Sequence, residues 1–322
     1  MTLLGARSLE ARGMRAVANG GAAVARSRRA VTAAMLGALV AGCLIERHVP
    51  DAASDQDSTK LEIIDAHTHT AFTGQPERTS GIIVSEDEYF ADMREAGVVG
   101  AVAHTQRSGA GYVDLRARNV ITCAGVEARV DVVRLEAGLK SGAFGCIKIY
   151  LGYVHQWAYA PEYRPAYRLA EQYSVPVVFH TGDTYSATAK VKYADPLTID
   201  EVAVDHPKVT FVIAHAGNPW IQSAAEVAYK NPNVYLDGSA FLIGDLGKMP
   251  AAQVDEYVVK PIAWIFGFME DPTKLMFATD WPLTEIGPYV AAFKRAIPEE
   301  HWKAVFHDNA ARVFKFPAKP AP

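Results

Sequence analysis

From Leu61 onward one pattern recurs along the chain: a short apolar run, a polar cluster, then an amphipathic segment. In the stretch LEIIDAHTHT at 61–70, apolar Leu61, Ile63 and Ile64 stand directly ahead of polar residues, which reads as a buried strand. A helix is predicted over Glu86–Ala96, stopped by Gly97, followed by a strand over Val98–Ala103 that His104 closes. A short helix near Val113–Arg118, a strand at Val120–Cys123 and an amphipathic helix at Glu127–Lys140 come next. Strands at Phe144–Tyr150, Val175–His180 and Val209–His215 then alternate with helices at Glu162–Tyr173, Ile199–Asp205 and Ile221–Tyr229. The strand Val234–Asp237, the helix Gln253–Phe268 and the strand Leu275–Asp280 precede two closing helices, near Val290–Ala296 and Glu299–Phe314. Eight strands, each followed by a helix over about 260 residues, predict an α/β chain folded as a (β/α)8 TIM barrel. A doubly wound open sheet is the alternative, and the lack of a Gly-rich dinucleotide turn after any strand counts against it.

The polar residues fall where such a barrel keeps its active site, at the C-terminal ends of the strands. The first strand ends in His67 and His69, the fifth in His180, the sixth in His215 and the eighth in Asp280. Residues two apart share a strand face, so His67 and His69 are expected about 7 Å apart, close enough for one metal ion. Asp65 is expected on that face, orienting a ligand. Lys148 sits inside the apolar fourth strand, where a charge needs a partner or a role.

Together, HTH at 67–69, FHTGD at 179–183, IAHAGNPW at 213–220, FATDWP at 277–282 and DNAARVF at 308–314 resemble the amidohydrolase superfamily. They are most similar to its amidohydrolase-2 branch, which includes amide and lactone hydrolases and non-oxidative decarboxylases. The resemblance implies one divalent metal, most often Zn²⁺, held by His67, His69, His180 and Asp280, with His215 beside the water or substrate. The donor chemistry agrees: three imidazoles and a carboxylate suit zinc and leave one position open. An ion there lowers the pKa of a bound water toward about 7. Asp280 is then the expected general base turned acid, and His215 the group that polarises a substrate carbonyl.

Lys148, His104, Asp183 and His155 are the further candidates for substrate contact. For Lys148 a second reading stays open, a carboxylated bridge between two metals as in other branches of the superfamily. Trp281 is expected to pack on the barrel rim, and Asn309 to dock the closing helix.

Residues 1–60 are read as lying outside the fold. Arg26, Arg28 and Arg29 precede an apolar run, Ala30–Val40, that is too short to span a bilayer and has the anatomy of an export signal. Leu39–Cys43 resembles a bacterial lipobox, which would make Cys43 a lipidated N-terminus and residues 44–60 a polar tether. The expected location is therefore the periplasm, or a membrane to which the lipid anchors the barrel.

Composition narrows the partners. The 322 residues are 50% apolar and carry a formal charge of −4 with no basic run in the body, which argues against nucleic acid and for small molecules. Ile262–Phe268 is apolar enough for a contact between copies or for the barrel's outer layer. Three cysteines exclude a disulfide framework; Cys123 and Cys146 are expected as buried thiols, with a single bridge between them as the alternative.

The sequence thus leads to a metal-dependent hydrolase acting on an amide, ester or lactone carbonyl. A zinc-dependent decarboxylase of an aromatic or unsaturated acid is the first rival, and a metal-binding lipoprotein without catalysis the second.

Overall fold

The computed structural model describes residues 61–106, 108 and 112–317. The expected export signal at 1–43, its Cys43 and the tether at 44–60 lie outside the described residues. Eight parallel strands follow one another in sequence order: β1 (Ile63–Thr68), β2 (Val98–His104), β3 (Val120–Val126), β4 (Cys146–Ile149), β5 (Val177–Phe179), β6 (Phe211–Ile213), β7 (Val234–Asp237) and β8 (Leu275–Met276). The amides of Ala66 and His69 donate to the carbonyls of Phe277 and Trp281, and Asp280 N–H donates to His67, so the stretch after β8 closes onto β1. The expected TIM barrel is the observed fold.

Two apolar layers hold it together. Ile64, Ala66, Val102, Val178, Val212 and Met276 fill the lumen. Their strand neighbours, among them Ile63, Ile147, Phe179 and Phe211, face outward into the larger layer beneath the helices. Burial on both faces is why these strands read as continuous apolar runs. Ile262 and Ile265 join the outer layer, whereas Trp264 and Phe268 on the same helix remain partly exposed. Among the described residues no helix is long and apolar enough to cross a membrane.

Several boundaries differ from expectation, each for a local reason. The helix expected from Glu127 begins at Val132, because the Asp131 side chain caps it by accepting from the Arg134 amide. The eighth strand pairs only over Leu275–Met276, since the chain beyond it turns to serve β1. Along β1 the register shifts between Asp65 and Thr68, and with Ile64 and Ala66 in the lumen it is this shift that turns His67 inward as well. Asp65 therefore does not share a face with the imidazoles. Its carboxylate accepts from the backbone amides of His67 and Thr279 and from the Thr279 hydroxyl.

The expectation of two free thiols is corrected outright. Cys123 and Cys146 form a disulfide, with Cα atoms 4.3 Å apart. The cause is register: β3 and β4 pair Cys123 with Cys146 directly, both on the lumen face. The bridge closes a loop with a sequence separation of 23 that carries a helix of the outer layer. Cross-links of this span stabilise by roughly 2–4 kcal/mol. The double variant Cys123→Ala/Cys146→Ala should lose about that much in urea unfolding, and non-reducing peptide mapping of the wild type should recover the two cysteines as one linked peptide.

Candidate metal centre

The polar strand ends converge on a cavity of about 360 Å³ at the C-terminal mouth of the barrel. His69, His180, His215 and Asp280 line it, together with Tyr150, Tyr153, Tyr185, Gln106 and Asn218. His67 lies directly beneath, fully buried.

Each imidazole has one ring nitrogen committed to a partner, which fixes what the other can do. The Nδ1 of His67 donates to Asp237 Oδ2 at 2.9 Å. The Nδ1 of His69 donates to the carbonyl of His104 at 3.0 Å. Both Nε2 atoms are then lone pairs, and both point at Asp280 Oδ1, 3.1 Å from His69 and 3.6 Å from His67. That carboxylate oxygen is buried and has no hydrogen-bond partner among the described residues. The His67 Nε2 also meets Lys148 Nζ at 3.3 Å, so two imidazole nitrogens and an orphaned carboxylate oxygen converge on one point, a donor set that suits a divalent cation. These residues fit the metal that the sequence led us to expect.

The imidazoles are held neutral, as ligands must be. Burial, then the neighbouring Lys148 charge, keeps His67 well below the ordinary imidazole value. The same two causes push His180 down to about 3, and burial followed by His67 lowers His215.

His215 and Asp280 sit on strained backbone, with φ of 58° and 64°. Such conformations persist in non-glycine residues only where the surroundings over-determine them. For His215 the determinant is Asp237, whose Oδ1 accepts the His215 amide at 2.9 Å and the Ser239 hydroxyl at 2.6 Å. With its only proton given to Asp237, Ser239 Oγ must accept from His215 Nδ1, 2.8 Å away. The His215 Nε2 is therefore bare. In this tautomer it has no proton to offer a carbonyl oxygen, so the electrophilic role expected of His215 does not fit; it can accept a proton or bind a cation.

The remaining expected residues separate clearly. His180 stands outside both groups of metal-competent donors, His67–His69–Asp280 and His67–His215–Asp237. Its Nε2 donates to the Asp183 carbonyl at 2.8 Å and its Nδ1 faces His215 Nε2 at 3.1 Å. Asp183 lines the cavity, and it orients His180 through its backbone. Lys148 is fully buried, its Nζ 3.3 Å from His67 Nε2, and its pKa falls to about 8 because of that burial. It meets His67 and does not line the cavity. His104 packs against His67 at a tilt of 50°, with ring centroids 4.0 Å apart, and does not line the cavity. His155 bonds the Thr188 carbonyl at 2.9 Å and ties two loops together away from the cavity. Trp281 packs on Tyr89 at 4.4 Å, and Asn309 Nδ2 donates to the carbonyls of Pro272 and Leu275, both as expected.

Asp237 and Ser239 are the residues that sequence reasoning missed. The available signal was Asp237 itself, a carboxylate ending the apolar seventh strand as Asp280 ends the eighth.

A parallel barrel with an imidazole–carboxylate cation site at its C-terminal mouth defines a class of metal-dependent barrel proteins. The amidohydrolase family model matches residues 64–316, and the chain belongs to that family. No curated protein matches it. Among solved structures it is similar to an uncharacterised TIM-barrel protein from Bordetella bronchiseptica, at 19% identity and a TM-score of 0.62 over 79% of this chain and 99% of that one. A probable 2-pyrone-4,6-dicarboxylic acid hydrolase from Acinetobacter baumannii aligns at 16% identity and a TM-score of 0.58, covering 79% and 100%. A 5-carboxyvanillate decarboxylase from Sphingomonas paucimobilis aligns at 14% identity and 0.59, covering 80% and 100%. At these identities the likeness is one of fold.

Asp237 orients His67 as a carboxylate behind a ligand imidazole, a contact whose loss typically weakens metal binding about 10–100-fold. Asp237→Ala should therefore raise the zinc dissociation constant by about that factor in a competition titration with a chromophoric chelator.

Proposed function

We propose that the protein is a metal-dependent hydrolase of a small-molecule amide, ester or lactone. The observation that carries this reading is the orphaned Asp280 Oδ1, on which the Nε2 atoms of His67 and His69 converge beside an open cavity. His67, His69 and Asp280 would hold the ion, which when bound supplies a Lewis acid and a more acidic water. Asp280 keeps Oδ2 for proton transfer, accepting from the attacking water and returning the proton to the leaving group. Three tyrosines, Tyr150, Tyr153 and Tyr185, give the cavity flat apolar surface that can orient a ring-bearing substrate.

The same tyrosines favour one rival, decarboxylation of an aromatic acid, since ring stacking positions such a substrate equally well. The two similar enzymes from Acinetobacter and Sphingomonas fall one on each side of that choice. Export to an oxidising compartment, with Cys43 as lipid anchor, is part of this proposal, and the buried disulfide supports it because such bridges persist outside the cytosol.

The deciding assay screens lactones, esters, amides and aromatic acids with the zinc-loaded protein, following acid release and CO₂ in parallel. Acid release without CO₂ is expected; CO₂ as product overturns the hydrolase reading in favour of the lyase. Asp280→Asn should cost about 10²–10⁴-fold in kcat, the usual scale for a lost acid–base group. Activity in that variant equal to wild type would remove Asp280 from the mechanism.

A further inference from the structure

The segments that follow β4 and β5 build one wall of the cavity around a carboxylate for which the metal reading has no use. Asp183 lines the cavity, and its backbone is fully committed. Its N–H donates to the Asn218 carbonyl at 2.8 Å, and its carbonyl accepts from His180 Nε2 at 2.8 Å. What Asp183 can offer a ligand is therefore its side chain. That residue is exposed, and its carboxylate has no hydrogen bond or ion pair among the described residues.

Two aromatic rings are fastened beside it. His180, held by the Asp183 carbonyl, meets the Tyr153 ring in an edge-to-face contact with centroids 4.9 Å apart. The Tyr153 hydroxyl accepts the Tyr185 amide at 2.9 Å, and Tyr185 follows Asp183 by two residues. Asp183, His180, Tyr153 and Tyr185 thus form a closed circuit of contacts, and all four line the same cavity. Gly182 makes the circuit possible. At φ 78° it brings the loop after β5 against the loop after β6, and a Cβ on it would stand 2.1 Å from the Asn218 carbonyl.

The charge of the lining points the same way. Its acids are Asp183 and Asp280, and among the described residues it contains no lysine or arginine. Asp280 faces the ion of the proposed function, whereas Asp183 has no counter-charge. Lys148 is buried against His67 and does not line the cavity. Arg78 stands 5.9 Å from the Tyr185 ring centroid, outside the lining, so this ring already attracts one cation. Apart from the metal ion, a ligand carboxylate would find none of the guanidinium or ammonium partners that recognise such groups. A nitrogen cation would find a carboxylate and the negative faces of two phenol rings.

We propose that Asp183, with Tyr153 and Tyr185, forms a subsite for an organic nitrogen cation, and that the substrate is a ring-bearing amine or amidine in its protonated form. The subsite holds the cationic end while the scissile carbonyl lies towards His69 and Asp280. The substrate class rests on the hydrolase reading above; the binding preference does not.

The test uses three flat, nearly isosteric probes: benzamidine, a cation near neutral pH, benzamide, which is neutral, and benzoate, an anion. Each is titrated calorimetrically into the zinc-loaded full chain, wild type and Asp183→Asn. Benzamidine should bind wild type about tenfold tighter than benzamide, the scale of one charge-assisted contact joined to one cation–ring contact, and tighter than benzoate. In Asp183→Asn the benzamidine-to-benzamide affinity ratio should fall to roughly one. Benzamidine binding wild type no tighter than benzamide, which includes no binding by either, overturns the proposal. So does a preference for benzoate, or a benzamidine preference that survives in Asp183→Asn. If the variant fails to fold, the crystal structure of the wild-type benzamidine complex decides: an amidinium hydrogen-bonded to the Asp183 carboxylate is expected, and one bound elsewhere refutes the subsite. Benzamidine selectivity without hydrolysis of any cationic ester or amide would sink the hydrolase reading and leave the cation subsite standing. Hydrolysis of neutral esters without that selectivity would do the reverse.

Discussion

The Asp237 carboxylate is the contact on which the geometry of the site depends. One oxygen fixes the His67 ring, while the other takes the His215 amide, the Ser239 amide and the Ser239 hydroxyl. Through Ser239 it also decides which nitrogen of His215 carries a proton. A single buried anion at the end of β7 thus orients residues that belong to β1 and to the turn after β6. Asp65 plays the matching part at the seam of the barrel, joining the backbone at His67 to Thr279. Burial at that seam pushes its carboxyl up to about 7.

Much of this was legible in the sequence because parallel strands buried on both faces leave a strong apolar signal and a polar residue stands out at their ends. The eight strands, the C-terminal rim and the placing of His69, His215 and Asp280 on the cavity followed from that contrast. What was not legible depends on register and on backbone dihedrals. The Cys123–Cys146 bridge required knowing that β3 and β4 pair those two residues. The facing of Asp65 required knowing that β1 slips between Asp65 and Thr68. Lys148 looked like a substrate contact because a lysine in an apolar strand needs a partner; its partner is His67, one layer below the cavity. Asp237 escaped notice because one carboxylate ending a strand carries no motif of its own.

Backbone carbonyls do half of the orienting work, and this separates the residues a chain can vary from those it cannot. His69 is set by the carbonyl of His104, and His180 by that of Asp183, so the side chains at both positions are replaceable as far as those bonds are concerned. His67 and His215 rely on the side chains of Asp237 and Ser239, for which no backbone atom substitutes. Mutational sensitivity around the site should therefore concentrate on Asp237 at the end of β7 and Ser239 just after it, more than on the loops that carry the cavity tyrosines. Those loops, carrying Tyr150, Tyr153 and Tyr185, are free to set the substrate while the cation-binding frame beneath them stays fixed.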